Sequence, residues 1–515
     1  LTRGVSFSHE KISLPVRQLW PYKFLMRILT MFFSRPLLAL AIGLSCSLVS
    51  RLSAATGRPD ARPNLLLCTA DDWGYPHAGA YGDKVVKTPT FDRVAREGFL
   101  FTHAFSAAPS CTPSRAAILT GQSPHRLEEG GNLHGFLPKK FPVYPDLLEE
   151  AGYVVGFTGK SWGPGNFKAG GRTRNPAGPN FKSFGEFLKQ VPADKPFCFW
   201  FGSGDPHRPY EKGSGVAAGM KPKDVVVPPY LPDTPEICSD ILDYYFEVQR
   251  FDHSVGEVLQ TLEESGKAAN TLVVITGDNG WPFPRSKANL YDSGTHQTLA
   301  IRWPAKFKGG ETIDAFVNLA DFAPTFLDAA GLKPLREMTG QSMLPLLAGK
   351  MQRGRDMTFV ERERHANVRA GDLSYPARAV RTKEFLYIRN LRPDRWPAGD
   401  PEVWKAVGPF GDCDGSPSKE FILDHRNAPE FESFFQLGFA RRPAEELYDL
   451  GKDPHQVSNV AERPEYAAAK KKLRTSLDRW MKDTKDPRAT SDSDPWDSYP
   501  YFGAGPRSSA PPAAR

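Results

Sequence analysis

The sequence predicts an α/β protein, a large and mostly parallel sheet sandwiched by helices, with a smaller C-terminal antiparallel α+β subdomain. Three observations predict it. Short apolar runs alternate with helical patterns from residue 64 to residue 276. Four of those runs end in polar residues of similar chemistry. Beyond Lys350 the texture changes to short strands with no long helix between them.

The elements follow in order. Residues 64–70 (NLLLCTA) read as a buried strand. Residues 90–98 read as a helix ended by Gly98, and residues 113–120 as a helix with Pro113 in its first turn. Residues 144–151 form a helix closed by Gly152, and residues 153–158 and 197–201 are strands. Residues 240–265 form a long amphipathic helix that leads into an apolar strand at 271–276. The subdomain strands are 358–362, 377–381 and 385–388, followed by a helix near 467–481. The predicted division is an α/β domain over 62–350, a subdomain over 351–485, and a Pro/Ser-rich tail or surface wrap over 486–515.

Residues 1–55 stand apart. Arg27 and Arg35 precede an uncharged stretch at 36–50, and small residues follow at Ser53, Ala54 and Ala55. This order reads as a secretory leader, with Met26 and Met31 as alternative starts, and predicts an exported protein, periplasmic or extracellular. The formal charge of +7 is therefore a weak guide, because the leader carries seven basic residues against Glu10 alone. The rest is near neutral, which points to no nucleic-acid partner and leaves attraction for an anion to a local patch. No run reaches the roughly 20 apolar residues of a membrane span. Of six cysteines, Cys46 falls in the leader, and Cys68 and Cys198 read as buried hydrophobes. A Cys238–Cys413 bridge is left open.

In an open α/β sheet, ligands bind beyond the carboxyl ends of the strands. Here those ends carry Asp71 and Asp72, then Lys160, then Asp205 and His207, then Asp278 and Asn279. Any one alone reads as a turn or cap. Together they describe a site for a hard cation and an anion, with Asp71, Asp72, Asp278 and Asn279 as oxygen ligands suited to calcium or magnesium rather than zinc. Cys111 stands just before a predicted helix start, where the dipole and free N–H groups favour an anion, and Arg115 follows one turn on. A buried cap cysteine and a plain thiolate nucleophile are the competing readings of Cys111.

The run Cys111-Thr112-Pro113-Ser114-Arg115 followed by AAILTG resembles the signature of the type I sulfatases. NLLLCTADDWG, GFTGK, PHRP, TGDNG, LADFAPTFLDAAG, GQSMLPLLAG and ELYDLGKDP agree in the same order. DNGWPFPRSKANLYDSG resembles the heparan N-sulfatase (sulfamidase) branch. The resemblance implies an alkaline phosphatase/sulfatase-like fold and a Cys111 oxidised to formylglycine by a formylglycine-generating enzyme, with Cys111 joining the ligands of one Ca2+. It further implies that one diol oxygen attacks sulfur and the second hydroxyl later expels sulfate. Arg115, Lys160 and Lys287 would supply positive charge, and His207 would protonate the leaving group of a sulfated carbohydrate. Two departures stand out: Trp162 occupies a place where many members have His, and Lys287 one where the sulfamidase pattern has Arg. Trp162, Arg362, Arg364 and His365 are placed among substrate-facing residues, a solvated charged strand end being the competing reading of the last three, with His134 and His296 as weaker candidates and His253 as structural or surface. A phosphate-ester hydrolase of the same superfamily, and a sulfated-glycan-binding protein with unmodified Cys111, are the rival readings. Sugar, sulfate position and homodimer formation are left open.

Overall fold

The computed structural model describes residues 62–350, 354–404 and 408–503. The predicted leader and the last residues of the predicted tail, 504–515, lie outside the described residues. From Arg62 onward the chain clusters as one compact unit that contains both predicted sheets.

The main sheet has seven strands. Their spatial order is β4 (Val154–Gly159), β5 (Phe197–Gly202), β1 (Asn64–Ala70), β6 (Thr271–Gly277), β8 (Leu299–Arg302), β2 (Phe99–Phe101) and β9 (Glu311–Ile313). The first four are parallel, with β1 at the centre between β5 and β6. β8 runs antiparallel to both its neighbours, so the sheet is mixed at one side. Strand pleating explains the continuous apolar runs. Leu66 and Cys68 of β1, with Val273 and Ile275 of β6, pack on one face beneath helices α1 (Pro89–Glu97) and α3 (Pro235–Glu264). Leu65, Leu67, Leu272 and Val274 point to the other face, beneath α2 (Cys111–Thr120) and α4 (Phe322–Ala329).

Helix α3 begins earlier than the sequence pattern suggested. Thr234 caps it, its hydroxyl accepting from Ile237 N at 3.4 Å, and Pro235 occupies the first turn. A short three-stranded sheet, β10 (Val317–Asn318), β3 (Ala104–Phe105) and β7 (His296–Gln297), leads toward the second region. There β11 (Met357–Arg362), β12 (Ala377–Thr382), β13 (Phe385–Asn390) and β14 (Glu445–Asp449) form an antiparallel sheet in sequence order. Leu473, Leu477 and Met481 of α5 (Ala467–Asp483) cover one face of it.

Residues 486–503 lie against the rest of the chain. Asp486 pairs with Arg378, Arg488 with Glu363, and Trp496 is fully buried. Cys238 and Cys413 are free thiols, so the bridge left open by the sequence is not formed. Among the described residues no helix is long and apolar enough to cross a membrane.

Candidate active site

Because β4, β5, β1 and β6 are parallel neighbours, their carboxyl ends share one edge of the sheet. The backbone joins those ends directly: Asp71 N donates to Asp205 O at 3.1 Å, Asp278 N to Ala70 O at 3.2 Å, and Lys160 N to Gly202 O at 2.9 Å. Side chains from four separate strand ends therefore meet.

Helix α2 supplies the other half. Ser110 is its N-cap and Cys111 its first residue, so the helix starts two residues before the predicted start. Pro113 causes no break there, since the first-turn N–H groups have no partner inside the helix. The Cys111 thiol donates to Asp71 Oδ1 at 3.3 Å and accepts from Lys160 Nζ at 3.6 Å; Asp72 Oδ1 lies 4.0 Å away. Lys160 also pairs with Asp71. Arg115 Nε donates to Asp278 Oδ2 at 2.7 Å, and its NH1 donates to the carbonyls of Lys160 and Ser161. Lys287 Nζ bridges Asp72 Oδ2 at 2.7 Å and Asp414 Oδ2 at 3.1 Å. Asn279 Nδ2 donates to Asp72 Oδ1 at 2.7 Å. His207 donates through Nδ1 to the Arg208 carbonyl at 2.6 Å, which leaves Nε2 facing Asp72 Oδ2 at 3.8 Å. Cys111 is 2% exposed. The side chains of Lys160, His207 and Asp414 keep 24%, 35% and 26% exposure and form the solvent-facing rim.

Burial alone would raise the Asp71 carboxyl, but Lys160, His207, Arg115 and Lys287 hold it far below the usual carboxylate range. Burial opposes charge on Lys287, and Asp414 and Asp72 outweigh it, so the ammonium is held protonated well above its ordinary value. Burial, reinforced by Asp71, pushes the Cys111 thiol well above its ordinary value. In this unmodified form the side chain is a neutral thiol.

The residues fit a divalent cation. Asp71, Asp72 and Cys111 offer donor atoms within 4.8 Å of one another. Asn279 Oδ1 is buried without a hydrogen-bond partner, an acceptor that a cation would satisfy. Arg115 NH2 is likewise buried without a hydrogen-bond partner, a donor suited to an anion's oxygen. Charge balance points the same way. The cations Arg115, Lys160 and Lys287 face the carboxylates Asp71, Asp72, Asp278 and Asp414, one net negative charge that repels a sulfate. A bound divalent ion reverses that sign.

The predicted substrate-facing residues are buried against partners of their own. Arg362 is buried and pairs with Asp412 at 2.6 Å. Arg364 is buried and donates to the carbonyls of Tyr499 and Pro500. His365 is buried, its Nδ1 2.8 Å from Ser110 Oγ, and burial lowers it to about 3. Trp162 packs in the core beneath α2 and α4. Strand-end charges here are buried partners of distant residues, not a free rim. His296 is stacked between Tyr75 and Phe105, and His253 is exposed on α3. His134 lies close enough to Lys160 and Lys287 that burial and their charges lower it to about 4. Asp414 was missed by the sequence reading. It follows no strand, and its one signal is the acidic run Asp412-Cys413-Asp414. A groove of about 1100 Å³ beside α3, past Lys84, Lys221 and His253, shares no residue with the cluster.

Comparison with known proteins agrees with this geometry. The sulfatase family model matches residues 63–332, more than half of the chain, and the model for the C-terminal region of N-sulphoglucosamine sulphohydrolase matches residues 277–400. N-sulphoglucosamine sulphohydrolase of Homo sapiens is 32% identical, covering 86% of this chain and 94% of that protein. An ulvan-active sulfatase of Formosa agariphila is 30% identical, covering 82% and 75%. A solved structure in complex with its substrate D-glucosamine-2-N,6-O-disulfate matches with a TM-score of 0.60 at 20% identity, covering 82% and 98%. The phosphonate monoester hydrolase of Agrobacterium radiobacter matches with a TM-score of 0.59 at 18% identity, covering 82% and 96%. These two structural matches establish the fold alone. On the family match, the two relatives and the assembled strand-end cluster, the chain belongs to the type I sulfatases, as a sulfamidase-like sulfuric ester hydrolase.

Proposed function

We propose that this protein is an exported, calcium-dependent sulfatase that removes sulfate, as ester or sulfamate, from a sulfated carbohydrate in the manner of a heparan N-sulfatase. Cys111 is converted to formylglycine during maturation by a formylglycine-generating enzyme. The observation that carries this reading is the setting of Cys111: first residue of α2, 3.3 Å from Asp71 and 3.6 Å from Lys160. The names of the human relative and of the disulfated-glucosamine complex support a glycosaminoglycan-type sugar. The order of residues 27–55 supports export.

Asp71, Asp72, Asp278 and Asn279 would hold the calcium ion, with residue 111 beside them. A formylglycine hydrate at residue 111 would supply the attacking oxygen, and the ion would supply positive charge toward it and the sulfate. The protein's own residues do the rest. Arg115, Lys160 and Lys287 neutralise the sulfate oxygens as charge moves onto them. His207, with Nδ1 fixed on a carbonyl, presents Nε2 to give a proton to the leaving oxygen or nitrogen.

The test is sulfate release from N-sulfated and 6-O-sulfated glucosamine beside matched phosphate esters, using protein co-expressed with a formylglycine-generating enzyme. Sulfate release should stop with EDTA and return with calcium. Faster phosphate release, or undiminished sulfate release by Cys111→Ala, would refute the reading.

A further inference from the structure

The geometry points to Asp414 as a specificity-determining residue that favours substrates whose leaving group is an amine, namely sulfamates of amino sugars. This rests on the sulfatase reading above and narrows its substrate class.

Asp414 stands on the solvent-facing side of the cluster, beside the histidine proposed to protonate the leaving group. Its ligand atoms lie within 4.8 Å of those of His207 and Asp72, and it is the carboxylate of the cluster that reaches the rim. Lys287 Nζ sits between Asp72 and Asp414, bonded to both, so this second acidic grouping already holds a cation. One Asp414 oxygen accepts from Lys287; the other has no donor among the described residues. A free carboxylate oxygen beside the proton-donating histidine is an acceptor for an N–H or O–H of the bound sugar.

The loop that carries Asp414 is firmly held. Asp412 accepts from Arg362 and Arg369 at 2.6 Å each and from Ala366 N at 2.8 Å. Lys419 Nζ donates to the carbonyls of Phe410 and Cys413 at 3.0 and 2.8 Å. Arg362 thus serves the site by fixing this loop.

Chemistry decides which leaving group gains most. Hydrolysis of a sulfamate, RNH–SO3⁻ + H2O → RNH3⁺ + SO4²⁻, breaks the S–N bond. The nitrogen keeps the electron pair, takes one proton from His207 and a second from water, and ends as a cation. Hydrolysis of a sulfate ester ends in a neutral alcohol and passes through negative charge on oxygen. A carboxylate at the rim stabilises the first and opposes the second. It also repels a substrate carboxylate at that position.

The experiment compares kcat/KM for glucosamine N-sulfate with kcat/KM for 4-nitrophenyl sulfate, in the wild type, Asp414→Asn and Asp414→Glu. The amide of Asp414→Asn can still accept from Lys287 but has lost the charge. The ratio of the two values should fall at least about tenfold in Asp414→Asn, and stay within about threefold of wild type in Asp414→Glu. An equal fall on both substrates would mean that Asp414 only holds Lys287, and would overturn the inference. A wild-type enzyme that hydrolyses the aryl sulfate but no N-sulfated sugar would also overturn it while leaving the sulfatase reading intact. A formylglycine-bearing enzyme inert on both would overturn that reading as well.

Discussion

Asn279 donates to Asp72 and leaves its own carbonyl oxygen unpartnered, so shortening it removes an acceptor without stranding a cation. Asn279→Ala should fold and lose part of its response to calcium. An ion present at about 100 times its Kd stabilises the fold by about 2.7 kcal/mol, and a tenfold loss of affinity removes about half of that. Thermal unfolding with and without calcium reads this directly; equal gains in both proteins would remove Asn279 from the ligand set. Cys111→Ala should leave the melting temperature nearly unchanged and lower sulfate release by at least about a thousandfold. Much of this cluster was legible in the sequence. Asp71, Lys160, His207 and Asp278 each follow an apolar run, and a parallel sheet brings such ends together. Arg362 ends β11 and Arg364 and His365 follow it, yet their partners, Asp412, the Tyr499 carbonyl and Ser110, lie far away in sequence. A charge after a strand looks the same whether it meets solvent or a buried partner. Asp414 had no strand to announce it.

At the scale of elements, the ends of β4 and β5 are packed backbone against backbone. A Cβ on Gly202 would sit 1.6 Å from the Lys160 carbonyl, and one on Gly159, at φ +69°, would sit 2.0 Å from the Gly202 carbonyl. Gly202→Ala should therefore cost about 1–3 kcal/mol and displace Lys160 from Asp71 and Cys111, lowering kcat together with stability. A variant with full activity would show that this edge tolerates movement. Helix α3 offers a contrast, since its cap lies away from the cluster. Thr234→Ala should cost about 1 kcal/mol with kcat unaltered. The central strands were legible because burial on both faces leaves a near-continuous apolar run. β2, β8 and β9 were not, being short and dependent on pairing with distant segments.

Across the whole molecule, residues 486–503 join the small sheet to the loops near the site. Arg378 of β12 pairs with Glu361, Glu363 and Asp486, and His125 faces Glu361 on the same cluster. Phe502 N donates to the His134 carbonyl at 2.8 Å. Burial alone would raise the Asp486 carboxyl, but the charge of Arg378 and its hydrogen bond hold it at about 2, below its ordinary 3.8. A lowered carboxylate contributes stability above its unfolded value and loses it as pH falls through the folded one. The contribution, about 2 kcal/mol, should be complete above pH 4 and fade toward pH 2. Stability curves of the wild type and Asp486→Asn should converge over that window, and a constant gap would contradict the pairing. The sequence marked this stretch by its Pro, Ser and Asp content, but composition does not reveal which buried arginines it meets.

Everything functional turns on residue 111, and the mass of the peptide spanning it is the most direct measurement. After co-expression with a formylglycine-generating enzyme, that peptide should weigh less than the cysteine form by the exchange of one sulfur and two hydrogens for one oxygen. A peptide that keeps its thiol, in a preparation that nevertheless releases sulfate, would contradict the account.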